Sequence, residues 1–229
     1  MTDANRLVLF DCDGTLVDGQ HMIVEAMKRT FEVAGLAPAA PGDVRAIIGL
    51  SLSEAMAQLL PGAEPALHSE IAALYKNSFA SMRADGSFEH EPLYEGTLAA
   101  LKALDSAGYH LGVATGKSQR GLNFVLEHHG IRDMFVTLQT ADFHPSKPHP
   151  SMALTAMAEA GAAAETTIMV GDTSYDMMMG DAAGTHLIGV TWGYHQRDEL
   201  QASGAGRLAE TFADLPSLVG QIFEGARHG

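Results

Sequence analysis

The sequence predicts an α/β protein: a mostly parallel sheet layered between helices, interrupted near its start by an all-helical block. Three observations carry that expectation. A short apolar run, Leu7-Val8-Leu9-Phe10, leads directly into the acids Asp11 and Asp13. Helical apolar stripes, with no clear strand, fill roughly residues 19–90. From Tyr94 onward, strand-like runs alternate with helical stripes, as in a parallel sheet with crossover helices. A chain of 229 residues has room for one core and a small second module.

Leu7–Phe10 is rich in strand formers and flanked by polar residues, so it reads as a buried strand. Side chains two apart on an extended backbone share a side. Asp11 and Asp13 are therefore expected to project together, with Cys12 facing away. Gly14 permits a sharp turn. In open parallel sheets, ligands bind outside the carboxyl ends of the strands. Two adjacent carboxylates repel, and a hard, oxygen-binding cation such as Mg²⁺ relieves that repulsion. One acid could then act as a nucleophile and the other as an acid/base. Taken alone, the pair fits a capped turn equally well.

The helical block follows. Ile23, Ala26, Met27, Thr30, Phe31 and Ala34 fall at helical spacing, and Gly35 follows as a stop. Pro38 and Pro41-Gly42 read as a loop. Leu52, Ala55, Met56, Leu59 and Leu60 repeat the rhythm up to Pro61-Gly62. Leu67, Ile71, Leu74, Tyr75, Ser78 and Met82 form a third stripe. A block of this kind between a first strand and a later α/β alternation reads as an inserted domain. Residues 17–20 and 88–92 would be its hinges.

In the second half, Leu98, Leu101 and Leu104 stripe a helix ended by Gly108. His110–Ala114 is a strand delivering Thr115-Gly116-Lys117-Ser118 to a helix striped by Leu122, Val125 and Leu126. A hydroxyl and free N–H groups at a helix start make an anion site. The string also invites a P-loop reading, but the upstream glycine is missing. Lys117 is expected to be solvated. Met134–Leu138 is the next strand, and Ser146-Lys147-Pro148-His149-Pro150 follows its loop. Two prolines stiffen the backbone around Lys147, so this lysine can be aimed, although most lysines are surface charges. Thr166–Val170 is a fourth strand, releasing Gly171-Asp172-Thr173-Ser174-Tyr175-Asp176. Ser174 is expected to cap the following helix, where Asp176 could simply compensate the helix dipole. Leu187–Val190 is a fifth strand, Leu208-Ala209 a short edge strand, and Leu215–Phe223 a closing helix.

FDCDGTLVD resembles the first motif, DxDGT after a buried strand, of the haloacid dehalogenase-like phosphohydrolases. The strand ending in Thr115 resembles the second motif, Lys147-Pro148 before a helix the third, and GDTSYD the fourth, GDxxxD. All four occur in the family's order across about residues 6–190. The resemblance implies a Rossmann-like three-layer core of residues 1–18 and 91–229, with a helical cap of residues 19–90. It implies Asp11 as nucleophile and Asp13 as general acid/base. Mg²⁺ would be held by Asp11, the Asp13 backbone carbonyl and Asp172, with Asp176 orienting that set. Thr115, the Gly116 N–H and Lys147 would bind the phosphoryl oxygens. Arg45, Gly49 and Ser51 are candidates for the cap surface that meets the substrate; a solvated arginine and an ordinary turn explain them as well. Dehalogenase relatives lack the second aspartate of the first motif, so the presence of Asp13 argues against that activity. Cap position and length look most similar to the phosphoglycolate-phosphatase-like branch. The expected activity is hydrolysis of a small phosphorylated metabolite through an aspartyl-phosphate. Pyrophosphatase and sugar-phosphate phosphatase or mutase are alternatives within the family, and a non-catalytic phosphate-ligand binder is an alternative of another class.

The totals constrain partners. With 14 basic and 28 acidic residues, the formal net charge is −14. That opposes nonspecific nucleic-acid and anionic-membrane binding. It opposes a phosphorylated substrate too, so any phosphate site must be locally positive. Cys12 is the only cysteine, so no intrachain disulfide is expected. No apolar run approaches the ~20 residues of a membrane span. The start, MTDANR, has no basic region followed by an apolar segment, so a cytoplasmic monomer or homodimer is the expectation.

Overall fold

A computed structural model describes residues 5–84 and 91–225. Six strands form one sheet: β1 (Asn5–Phe10), β2 (His110–Thr115), β3 (Phe135–Thr140), β4 (Ala162–Gly171), β5 (His186–Val190) and β6 (Arg207–Ala209). Their spatial order is β3-β2-β1-β4-β5-β6, and every neighbouring pair is parallel. The chain builds outward from β1 to β3, then crosses back to lay β4 on the other side of β1. The point where direction reverses, between β1 and β4, opens a crevice at the carboxyl ends of the strands.

β1 shows why the sheet has two covered faces. Leu7, Val8, Leu9 and Phe10 are all fully buried. Val8 and Phe10 join one cluster with Leu101, Leu122, Val125, Leu215 and Val219. Leu7 and Leu9 join another with Met152, Ala153, Ala156 and Met179. Side chains alternate across a strand, so a continuous apolar run serves helices on both sides. Each such burial contributes roughly 1.5–3 kcal/mol. The covering helices are α5 (Thr97–Ser106), α6 (Gln119–His128), α7 (Ser151–Ala160), α8 (Ser174–Ala182), α9 (Arg197–Ala202) and α10 (Leu215–Gly225). The result is the three-layer α/β core expected from the sequence.

Between β1 and α5 lie α1 (Gln20–Val33), α2 (Pro41–Ala46), α3 (Leu52–Leu59) and α4 (Pro65–Ala84). They bury their own cluster, which includes Ile23, Met27, Phe31, Val44, Ile47, Met56 and Ile71. Tyr175 and Tyr194 of the sheet side also pack against it. Entry and exit run side by side: the Asp18 N–H donates to the Pro92 carbonyl at 2.9 Å, and Val17 bridges Leu93. Residues 88–90 of the second expected hinge lie outside the described residues.

Two local expectations are corrected. Pro41-Gly42 opens α2 instead of forming a loop, since proline is well suited to a first helical position. β4 begins at Ala162, four residues before the apolar run that marked it. Among the described residues no helix is long and apolar enough to cross a membrane.

Candidate active site

β1 ends at Phe10, and the next residues turn over the crevice. The Asp11 N–H donates to the Val170 carbonyl of β4, so Asp11 sits where two central strands end together. Gly14 makes the turn with φ +85°, and a Cβ there would fall 2.1 Å from Asp172 Oδ2. Only glycine satisfies both the left-handed backbone and that close approach.

Three carboxylates converge here. Asp11, Asp172 and Asp176 each offer an oxygen, and these atoms lie within 4.8 Å of one another. All three residues are fully buried. Lys147, also fully buried, donates to Asp11 Oδ1 at 2.9 Å and to Asp176 Oδ1 at 2.6 Å. Burial disfavours the ammonium, but Asp11 and Asp176 outweigh it and raise the Lys147 pKa. Lys147 precedes a cis-proline at position 148. Its preceding loop is tied to α7 by His144, which sits 2.8 Å from both Gln139 Oε1 and Ser151 Oγ. His144 is thus occupied structurally, and His149 is exposed.

The remaining lone pairs are mostly used. The Cys12 N–H donates to Asp11 Oδ1 at 2.6 Å. Thr15 Oγ1 and the Tyr194 N–H donate to the two oxygens of Asp172 at 2.8 and 2.9 Å. Asp176 Oδ2 accepts from the Thr173 N–H at 3.0 Å and the Thr173 hydroxyl at 2.7 Å, closing a capping box at the start of α8. The cap is therefore Thr173, not Ser174, which is already inside the helix. Among the oxygens of these three carboxylates, Asp11 Oδ2 is the one that is buried with no hydrogen-bond partner.

The electrostatics show an acid excess. Burial, opposed by Lys147, pushes the Asp11 carboxyl up to about 7. Burial, with Asp176 and Asp11 adding to it, holds Asp172 well above the ordinary carboxylate range. One lysine does not balance three buried acids, and a cation placed among them would. The all-oxygen donor set and this charge deficit fit a hard divalent metal.

Asp13 has a lysine of its own. Asp11 and Asp13 are close enough to act on each other electrostatically, but their ion pairs are to different lysines, Lys147 and Lys117. Asp13 Oδ1 lies 2.9 Å from Lys117 Nζ, and Lys117 also donates to Glu91 Oε1 at 2.8 Å. Lys117 is thus largely buried and paired, correcting the expectation of a solvated lysine. Burial lowers its pKa, but Asp13 and Glu91 prevail and raise it well above the usual value. Thr115, at the end of β2, is buried, and its hydroxyl oxygen accepts from the Lys117 N–H at 3.2 Å.

Gly116 touches the helical block. A Cβ there would fall 2.4 Å from the Leu50 carbonyl oxygen and 2.6 Å from that of Gly49. Gly49, with φ +101°, lies against Thr173. The Ser51 N–H donates to Ser146 Oγ at 2.8 Å, and Ser51 caps α3. Residues 49–51 therefore roof the crevice. Arg45 does not join them: it is exposed and shares a groove of about 380 Å³ with Gln20, His21 and Glu25. Glu91, Thr15 and Thr173 were missed. Thr15 and Thr173 stand inside the quoted motifs, where a hydroxyl beside an acid was the available signal. Glu91 had none, because its partners come from other elements.

A doubly wound parallel sheet with a carboxylate–lysine centre at its switch point defines a class of α/β enzyme scaffold. The chain belongs to the haloacid dehalogenase-like hydrolases, whose family model matches residues 8–190. It is 38% identical to "Probable phosphatase IndB" of Dickeya dadantii over 212 residues, covering 91% of each chain. It is 28% identical to phosphoglycolate phosphatase of Photobacterium profundum over 223 residues, covering 93% of this chain and 95% of that one. A crystal structure of a haloacid dehalogenase-like hydrolase from Bacteroides fragilis superposes with a TM-score of 0.84 at 26% identity, covering 92% of this chain and 99% of that one.

Proposed function

We propose that this protein is a Mg²⁺-dependent phosphatase of a small phosphorylated metabolite, with phosphoglycolate the first substrate to test. The observation that carries the reading is the unequal state of the two Asp11 oxygens. Oδ1 is held by Lys147 and the Cys12 N–H, while Oδ2 is buried without a partner. A carboxylate pinned by one oxygen and bare at the other is oriented for attack. The full-length likeness to a phosphoglycolate phosphatase supports the substrate class.

In this reading Asp11 Oδ2 bonds to phosphorus as the bond from phosphorus to the leaving oxygen breaks. Asp13 delivers a proton to that oxygen. As a carboxylate it then takes a proton from the water that attacks phosphorus, releasing inorganic phosphate and restoring Asp11. The Gly116 N–H, the Thr115 hydroxyl and Lys147 hold the phosphoryl oxygens as their charge develops. Asp11, the Asp13 carbonyl and Asp172 would hold Mg²⁺, with Asp176 keeping Lys147 and the metal-binding acids in register. When bound, the ion supplies positive charge against both the acids and the phosphoryl group. Residues 1–18 and 91–229 form the catalytic unit, and residues 19–90 a cap whose 49–51 turn excludes water.

The test is hydrolysis of 4-nitrophenyl phosphate with and without Mg²⁺, by wild type and Asp11→Asn. Metal-dependent turnover that the variant abolishes while staying folded is expected; wild-type turnover by the variant would refute the nucleophile. A panel of phosphoglycolate, pyrophosphate and sugar phosphates, ranked by kcat/KM, then tests the substrate. Phosphoglycolate ranking below another member would overturn that part.

A further inference from the structure

Lys117 is a lysine with no place in the mechanism above, yet it is nearly buried and doubly paired. Its ammonium bridges Asp13 Oδ1 at 2.9 Å and Glu91 Oε1 at 2.8 Å. Glu91 is buried too, and its other oxygen accepts from Arg83 Nη2 of α4 at 2.9 Å. The backbone carbonyl of Glu91 lies 2.7 Å from His129 Nε2. The Arg83 guanidinium lies 4.7 Å from the Phe79 ring centroid and 4.2 Å from that of Phe124. Two acids and two cations thus alternate in a row, from the helical block to Asp13.

Two glycines make room for this row. A Cβ at Gly19 would fall 3.0 Å from Asp13 Oδ1 and 3.3 Å from Glu91 Oε1. A Cβ at Gly121 would fall 3.1 Å from Lys117 Cγ and 3.2 Å from Ser118 Oγ, where the lysine stem crosses the first turn of α6. Neither glycine has a left-handed backbone, so space alone explains them. The Lys117 N–H is also bonded to Thr115 Oγ1 at 3.2 Å, which fixes the stem at its root. Lys117 is therefore held at its base, along its stem and at its tip.

We propose that Lys117 is a positioning residue for Asp13, anchored by Glu91 and Arg83, that fixes the carboxylate on the leaving-group side of the substrate. This rests on the reading of Asp13 as acid/base. The long side chain, without a second anchor, could not hold another carboxylate still; Glu91 supplies that anchor, and Arg83 ties it to α4. The row makes the aim of Asp13 depend on α4 being docked.

The test separates aiming from folding by varying the leaving group. kcat/KM is measured for alkyl phosphates, whose leaving oxygen needs a proton, and for 4-nitrophenyl phosphate, whose leaving oxygen does not. Lys117→Met should lose ~10- to 100-fold on alkyl esters, the scale of a misplaced catalytic group. On the aryl ester it should lose less than about threefold, since proton donation there contributes little. Lys117→Arg should restore most of the alkyl activity. In an Asp13→Asn background, Lys117→Met should cost nothing further. Because Lys117→Met leaves Asp13 and Glu91 buried together, Lys117→Met/Glu91→Gln is measured beside it, with melting curves, and should show the same ester split. Equal loss on both ester types, or an added loss in the Asp13→Asn background, would overturn the inference alone. Wild-type activity of Asp13→Asn on alkyl esters would overturn the reading of Asp13, and the inference with it.

Discussion

Replacing Lys147 by methionine removes one charge and little volume from a fully buried position. The ammonium is the shared partner of Asp11 Oδ1, at 2.9 Å, and Asp176 Oδ1, at 2.6 Å. Without it, Asp11, Asp172 and Asp176 are three buried acids within 4.8 Å and no cation among them. Breaking a buried pair by deleting one partner costs ~3–5 kcal/mol. At ~2–4 °C per kcal/mol for a chain of this size, Lys147→Met should melt ~6–20 °C below wild type in a chelator. Mg²⁺ should return more stability to the variant than to wild type, because the variant has the greater charge deficit. A hundredfold excess over the dissociation constant would give about 2.7 kcal/mol. Calorimetry with and without Mg²⁺ measures both numbers. A variant that melts with wild type in chelator, or that gains nothing extra from Mg²⁺, would refute the charge argument.

Other outcomes follow from the same geometry. Gly116→Ala should lower kcat/KM ~10- to 100-fold by pushing residues 49 and 50 off the crevice, while the melting temperature moves by only a few degrees; steady-state kinetics and calorimetry check the two halves. Asp172→Asn should abolish the rise in melting temperature on adding Mg²⁺, as read in a metal titration. Burial, against a smaller opposing pull from Glu159, holds His144 below its ordinary 6.5. The folded state then binds fewer protons than the unfolded chain, so stability is complete above 6.5 and is lost as pH falls through the folded value. His144→Asn should flatten the denaturation midpoint against pH in that range.

Much of the fold was legible because β1 announces itself: an apolar run ending in acids and a glycine admits few structures. The alternation after Tyr94 gave the parallel sheet for the same reason, periodicity switching between strand and helix. What stayed illegible was pairing across distance. Lys117 looks like any polar residue after a strand, and only Asp13 and Glu91, brought from other elements, explain its burial. α2 was hidden by reading Pro41-Gly42 as a turn, where proline is equally at home as a helix start. In the helical block, apolar periodicity marked the buried stripes, but nothing local marked that residues 49–51 face Gly116 while Arg45 points into a separate groove.

The most direct measurement is rapid acid quenching during turnover, followed by mass spectrometry of the peptide that carries Asp11. A phosphoryl group on Asp11, appearing before inorganic phosphate and decaying with it, is the expected result. Steady release of phosphate with no labelled peptide, or a label on any other residue, would contradict the account.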